Sequence, residues 1–188
     1  MWILMGAVAV ASLGAVFIYN SLIAKKNQVQ NVFGSIDALL KKRYELIPNL
    51  VATVKAYMRH ERALLAEITE ARARATSGRL SDEQQVELGG AVSRMLTSIM
   101  ATVENYPELK ASRNFMHLQR TLNELEEQIS AARRAYNAAV TEYNNAVEMI
   151  PTSIVARLMG YKKKRVFEIE EDQRRSVDVG HAAEARSN

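Results

Sequence analysis

The sequence predicts an all-α protein: an N-terminal transmembrane helix continuing into an up-and-down antiparallel helical bundle with long, coiled-coil-like helices. Three observations carry this. Residues 1–24 contain no charged side chain. Downstream, apolar residues recur at steps of three and four, the period of a helix face. Eight glycines and three prolines in 188 residues leave little punctuation for a many-stranded sheet. The expected divisions are a transmembrane helix over 1–24, a bundle over 25–150, an amphipathic and basic juxtamembrane segment over 151–165, and a disordered tail over 166–188, where polar residues predominate and acidic ones outnumber basic.

The opening run, as a helix, is about 36 Å long against a hydrocarbon core of about 30 Å. Ile3, Leu4, Val8, Val10, Leu13, Val16, Phe17, Ile18, Leu22 and Ile23 together favour insertion by about 3–6 kcal/mol. Trp2 and Tyr19, about 25 Å apart on a helix, suit two aromatic interface anchors. A cleaved leader would need a basic region before its apolar core, and a lipoprotein a cysteine, which the chain lacks. Lys25, Lys26, Lys41, Lys42 and Arg43 follow the span, opposed by Asp37. The positive-inside tendency therefore puts the amino terminus outside and the body in the cytoplasm. Ala7, Ala11 and Ala15 could let two spans approach, but ordinary alanine content explains them more economically.

In the body, Val32, Phe33, Ile36, Leu39, Leu40 and Ile47 extend the first helix through Gly34, and Pro48 is expected to stop it or to begin the next. The second helix would carry Leu50, Val51, Val54, Tyr57, Leu64, Leu65, Ile68 and Ala71, ending at Thr76-Ser77-Gly78. Ser81-Asp82-Glu83-Gln84 is a capping box opening the third, in which Gly89-Gly90 either weakens the helix or admits a close neighbour. Tyr106-Pro107 breaks the chain and Ser112 is the expected cap of the fourth helix. There Phe115, Leu118, Leu122, Leu125, Ile129, Ala132, Tyr136, Ala139, Tyr143, Ala146 and Ile150 form a coiled-coil-like seam. From Arg113 to Ile150 it would be about 57 Å long, so it should kink or project beyond its partners. An even number of helices returns residues 154–165 toward the membrane. There an amphipathic stretch (Ile154, Val155, Leu158, Met159, Tyr161) and the cluster Lys162-Lys163-Lys164-Arg165 suit either lipid binding or a solvated basic tail. Trp2, Tyr19, Lys25, Lys26, Lys162, Lys163, Lys164 and Arg165 are thus the candidate membrane-interface residues.

Little else points to chemistry. Without cysteine, thiolate metal sites and thiol nucleophiles are excluded. His60, His117 and His181 form no Glu-x-x-His pair and no zinc-protease helix, and no phosphate loop, dinucleotide fingerprint or nucleophile elbow is present. Glu124, Glu126 and Glu127, beside Arg120, Arg133 and Arg134, read as a salt-bridged outer face. Tyr136-Asn137 and Tyr143-Asn144, seven apart, read as polar register pins in a helical seam. No catalytic residue, metal or cofactor is expected, nor nucleic-acid binding, since the basic residues gather at the membrane side, nor a small-molecule substrate. The expected partners are the lipid bilayer and a second copy or other membrane-associated proteins. The expected role is non-catalytic, as scaffold or interaction protein, or alternatively as a membrane-surface binding or remodelling protein acting through 154–165.

Several blocks carry a family resemblance: Tyr19-Asn20-Ser21-Leu22, the run Arg43-Tyr44-Glu45-Leu46-Ile47-Pro48-Asn49-Leu50-Val51, Val54-Lys55-Ala56-Tyr57 and His60-Glu61. Further on come Glu104-Asn105-Tyr106-Pro107-Glu108-Leu109-Lys110-Ala111, Asn114-Phe115, Leu118-Gln119 and Ala132-Arg133-Arg134-Ala135-Tyr136-Asn137. In this order they resemble the LemA family of small bacterial proteins, with Phe33 where a tryptophan is more usual. The resemblance implies an amino-terminal membrane helix with a short external end, a helical body and a place in the bacterial inner membrane. Relatives include a protein of magnetosome membranes, which implies a part in organising membranes or membrane complexes. The resemblance brings no catalytic residues with it.

Overall fold

A computed structural model describes residues 1–78 and 80–167, all of whose regular elements are helices: α1 (Trp2–Lys55), α2 (Arg62–Ala75), α3 (Asp82–Val103), the single turn α4 (Pro107–Lys110), α5 (Arg113–Glu148) and α6 (Thr152–Leu158). The spine is the antiparallel pair α1–α5. On α1, Leu22, Val29, Ile36, Arg43 and Leu50 are buried at steps of seven, and on α5 Phe115, Leu122, Ile129, the half-buried Tyr136 and Tyr143 keep the same step. A seven-residue repeat holds one seam facing the partner along the whole contact. The register does not slip: Arg43 meets Glu126, Phe33 meets Tyr136, Lys25 meets Glu142, and Leu22 packs with Ala146.

Far from the apolar end the molecule is four helices thick. Ile36 to Val54 of α1 share one core with Leu65, Ile68 and Ala71 of α2, Leu88 to Val103 of α3, and Phe115, Leu122 and Ile129 of α5. Helices α2 and α3, about 21 and 33 Å long, end there, whereas α5 at about 54 Å runs on beside α1. That is where its extra length goes. Between the four-helix body and the apolar end, α1 and α5 form a two-helix neck, covered by residues 161–167 and closed by α6.

Pro48 neither stops α1 nor begins α2: it lies inside α1, which continues to Lys55. A proline in a helix leaves the carbonyl four residues earlier without its donor. Here that carbonyl belongs to Tyr44, and Nε of Arg72 on α2 donates to it at 3.3 Å. The break expected at Pro48 falls instead after Lys55, and Leu50, Val51 and Val54 belong to the first helix. The capping box at Ser81 is present in both directions, Gln84 N–H to Ser81 Oγ and Ser81 N–H to Gln84 Oε1. Ser112 occupies the cap position of α5, but its side chain makes no capping bond. Gly89 is a close approach: a Cβ there would stand 3.2 Å from Leu40 Cδ2. Val166 and Phe167, assigned to the tail by the sequence, are the end of the described chain, where Phe167 is buried against the core of the four-helix body. The rest of that expected tail lies outside the described residues.

Candidate membrane-proximal site

The foot of the neck is built from the middle of α1, the end of α5 and α6. The small residues Ser153 and Ala156 on α6 are buried, and Ala156 lets the helix lie close on Leu22 and Ile18 of α1. The opposite side is bare: Ile150 is 82% exposed, Ile154 58% and Leu158 84%, with Met149 at 63% beside them. Ile154 and Leu158, four residues apart on α6, share one stripe, and Ile150 stands exposed just before them in the α5–α6 connection. No charged side chain occurs from Met149 to Ala156.

Directly behind this foot the charges form a collar. Lys25 Nζ lies 3.2 Å from Glu142 Oε2, Lys163 pairs with Glu148, and Lys26 Nζ sits 5.3 Å from the centre of the Tyr161 ring, a cation–π geometry. The two basic clusters that the sequence places more than 130 residues apart are thereby brought to one level of the neck. Trp2 stands apart at 85% exposure in the first turn of α1, and Tyr19, 45% exposed, lies next to the foot. From Met1 to Phe17 every described side chain is exposed, and Ile18 is the first to touch the body.

Residues 154–165 do not make one amphipathic unit. Gly160, at φ +68°, ends α6 in the left-handed region that suits glycine, and the chain turns back along α5 as an extended strap. Two asparagines hold it. Asn144 Oδ1 accepts from Lys164 N–H at 2.9 Å while its Nδ2 donates to Lys164 O at 2.9 Å. Asn137 does the same to Phe167, at 2.7 and 3.0 Å. Tyr143 Oη donates to Lys162 O at 3.1 Å. The spacing is a geometric match: seven residues of helix and three of extended chain both advance about 10 Å. The Phe167 ring sits edge-on to Tyr136 at 4.6 Å. Burial pushes the phenols of Tyr136 and Tyr143 above the ordinary tyrosine value; Asp82 and Glu83 add to the first, Tyr161 to the second. The paired Tyr-Asn motifs are therefore pins, but they pin an extended segment and not another helix. Lys164 and Arg165 consequently lie on the strap, farther from the apolar end than Lys162 and Lys163.

A second polar cluster lies inside the body. The fully buried Arg43 donates through Nη1 to Glu126 Oε2 at 2.8 Å and Ser93 Oγ at 2.7 Å, and through Nη2 to Gly89 O at 2.7 Å. Glu126 thus faces an interior arginine instead of the salt-bridged surface expected for it, while Glu124 and Glu127 are exposed. His60 and His117 are exposed, and among the described residues no three His, Cys, Asp or Glu converge as metal ligands. A cavity of about 240 Å³ between α1 and the α2–α3 turn is lined by Asp37, Lys41, Tyr44 and Gln85 among others. Its polar groups do not form a nucleophile–base arrangement.

The LemA family model matches residues 32–180. The chain is similar to Protein LemA of Metamycoplasma hominis, with 26% identity over 160 residues, covering 85% of this chain and 73% of the relative. It is also similar to Magnetosome protein MamQ 2 of Paramagnetospirillum magneticum, with 22% identity over 175 residues, 80% of this chain and 64% of that protein. Magnetosome protein MamQ of Magnetospirillum gryphiswaldense matches at 30% identity over 78 residues, 42% of this chain and 29% of its own length. The chain spans less than two thirds of each magnetosome protein's length.

Proposed function

Because this chain belongs to the LemA family, with the matched part beginning inside α1 and taking in the helical body, we propose that it is a single-pass membrane-anchored scaffold. In this reading it binds other proteins or a second copy and carries out no catalysis. The observation that supports this most is the continuity of α1: one helix of 54 residues holds the exposed apolar stretch and the core of the body together. A body joined through a flexible linker would be free to swivel. Here the same helix that enters the bilayer is half of the spine, so the body stands upright and presents α2 and α3 at a fixed distance from the lipid. The basic residues following the span support an orientation with that body on the cytoplasmic side of a bacterial inner membrane. Crosslinking through the body in native membranes is expected to trap a defined oligomer or partner; a strictly monomeric, partnerless chain would overturn the reading. A protease-accessible tag at Asn188 in intact cells would reverse the orientation.

The collar supports a second, membrane-surface role for residues 154–165. Lys25, Lys26, Lys162 and Lys163, two of them paired with Glu142 and Glu148, would bring a surplus of basic charge to the level of anionic headgroups. Replacing Lys162 and Lys163 by glutamine should weaken salt-sensitive attachment of the body to anionic vesicles, and unchanged attachment would refute that role.

A further inference from the structure

We infer that the foot of the neck, Met149 to Leu158, is embedded in the leaflet on the body's side, so that the protein meets lipid through two elements and not one. This rests on the anchored reading above. The first argument is level. Leu22 packs with Ala146 of α5 and Ala156 of α6, and Ile18 and Val155 join the same cluster, so α6 lies beside the last turn of α1 before its free apolar stretch. The second is chemistry. The charge-free run 149–156 lies against the charge-free run of α1, and toward the body both give way to charge at the same level, at Lys25–Glu142 and Glu148–Lys163, while the other end of the run is Arg157. A protein surface in water has no reason to keep that boundary common to two segments; a hydrocarbon edge imposes it. The third is depth. With Trp2 at the far interface, a hydrocarbon core of about 30 Å takes up about 20 residues of helix and ends near Leu22. That is one turn past Ile18, where the foot begins. Ile150, Ile154 and Leu158 then point into acyl chains, while the Arg157 side chain can reach out to the headgroups.

The foot is also what fixes the height of the body. Withdrawing it would expose Met149, Ile150, Ile154 and Leu158 to water, and pushing the neck deeper would bury the Lys25–Glu142 pair. Both displacements are unfavourable, so the bilayer edge is held between Leu22 and Lys25.

The test places a single tryptophan on the foot. Leu158→Trp and Ile154→Trp are made in the full chain with Trp2→Phe, and Met116→Trp, exposed on the distal part of α5, serves as the water-facing reference. Each is reconstituted in phosphatidylcholine–phosphatidylglycerol vesicles whose acyl chains carry bromine. Leu158→Trp and Ile154→Trp are expected to show blue-shifted, strongly quenched emission, and Met116→Trp neither. Red-shifted, unquenched emission from the foot of a chain that resists a carbonate wash would overturn the inference and leave the anchor standing. Blue-shifted emission without quenching would put the foot against protein and would equally overturn it. A chain washed from the vesicles would refute the anchored reading and this inference with it.

Discussion

Arg43 occupies a seam position at which its heptad neighbours Ile36 and Leu50 are apolar. A buried arginine is tolerated because Glu126, Ser93 and Gly89 each accept a hydrogen bond from it, although its Nε has no partner. Such a pair specifies register more than it stabilises, since removing one member leaves an uncompensated charge while removing both need not. Glu126→Gln should therefore destabilise by about 2 kcal/mol, read by thermal melting of the detergent-solubilised chain. Arg43→Met combined with Glu126→Gln should lose less than the sum of the singles, and strict additivity would mean the two are not coupled. Tyr44, Tyr136 and Tyr143 are all held protonated by burial, against a weaker lowering by Arg43 at Tyr44. A raised folded-state value means the stabilisation is complete below about pH 10 and is lost as the pH climbs through and above it. Alkaline titration should thus show phenolate absorbance from these residues lagging behind free tyrosine, with loss of helix at the same pH. At this scale the sequence was only partly legible. Heptad spacing marks Tyr136-Asn137 and Tyr143-Asn144 as pins, but their ligand is a backbone without periodicity and leaves no pattern to read. Arg43 lies within a recognisable motif, yet nothing local distinguishes a buried arginine from its exposed neighbours Lys41 and Lys42.

Among the elements, α1 owes its continuity to a repair made from outside. The Tyr44 carbonyl freed by Pro48 is satisfied by Arg72, a contact between residues 28 apart that the sequence cannot display. Periodicity carries α1 correctly from the span into the body, and fails at Pro48 because the remedy is tertiary. Arg72→Met should destabilise by about 1 kcal/mol, and Pro48→Ala, which restores the in-helix donor, should largely abolish that loss. Equal losses in both backgrounds would show that Arg72 acts through something other than that carbonyl. The strap gives a second element-level prediction. Asn144→Ala removes two hydrogen bonds to Lys164, at about 0.5–1.5 kcal/mol each, and should speed tryptic cleavage within Lys162–Arg165 severalfold with helix content unchanged. An unaltered cleavage rate would mean that packing of Phe167 and Tyr161 holds the strap without the clamp.

As a whole, the molecule is a rod: an apolar stretch, a two-helix neck with its foot and collar, and a four-helix body, all threaded by α1. The two ends of this arrangement were visible in the sequence for simple reasons. A charge-free run of two dozen residues has few other uses, and the α5 seam is long and regular. The neck was not visible, because it arises from the mismatch in length between α5 and the shorter α2 and α3 and from a chain reversal at Gly160. The sequence brought the basic clusters to the same side of the protein; the structure brings Lys25, Lys26, Lys162 and Lys163 to the same level and moves Lys164 and Arg165 off it. The measurement that bears most directly on this picture is alkaline carbonate extraction of membranes from cells making the full chain. If α1 is embedded through its first two dozen residues, the intact polypeptide remains in the sedimented bilayer after the wash; its appearance in the supernatant, whole or shortened near Ala24, would contradict the anchored rod.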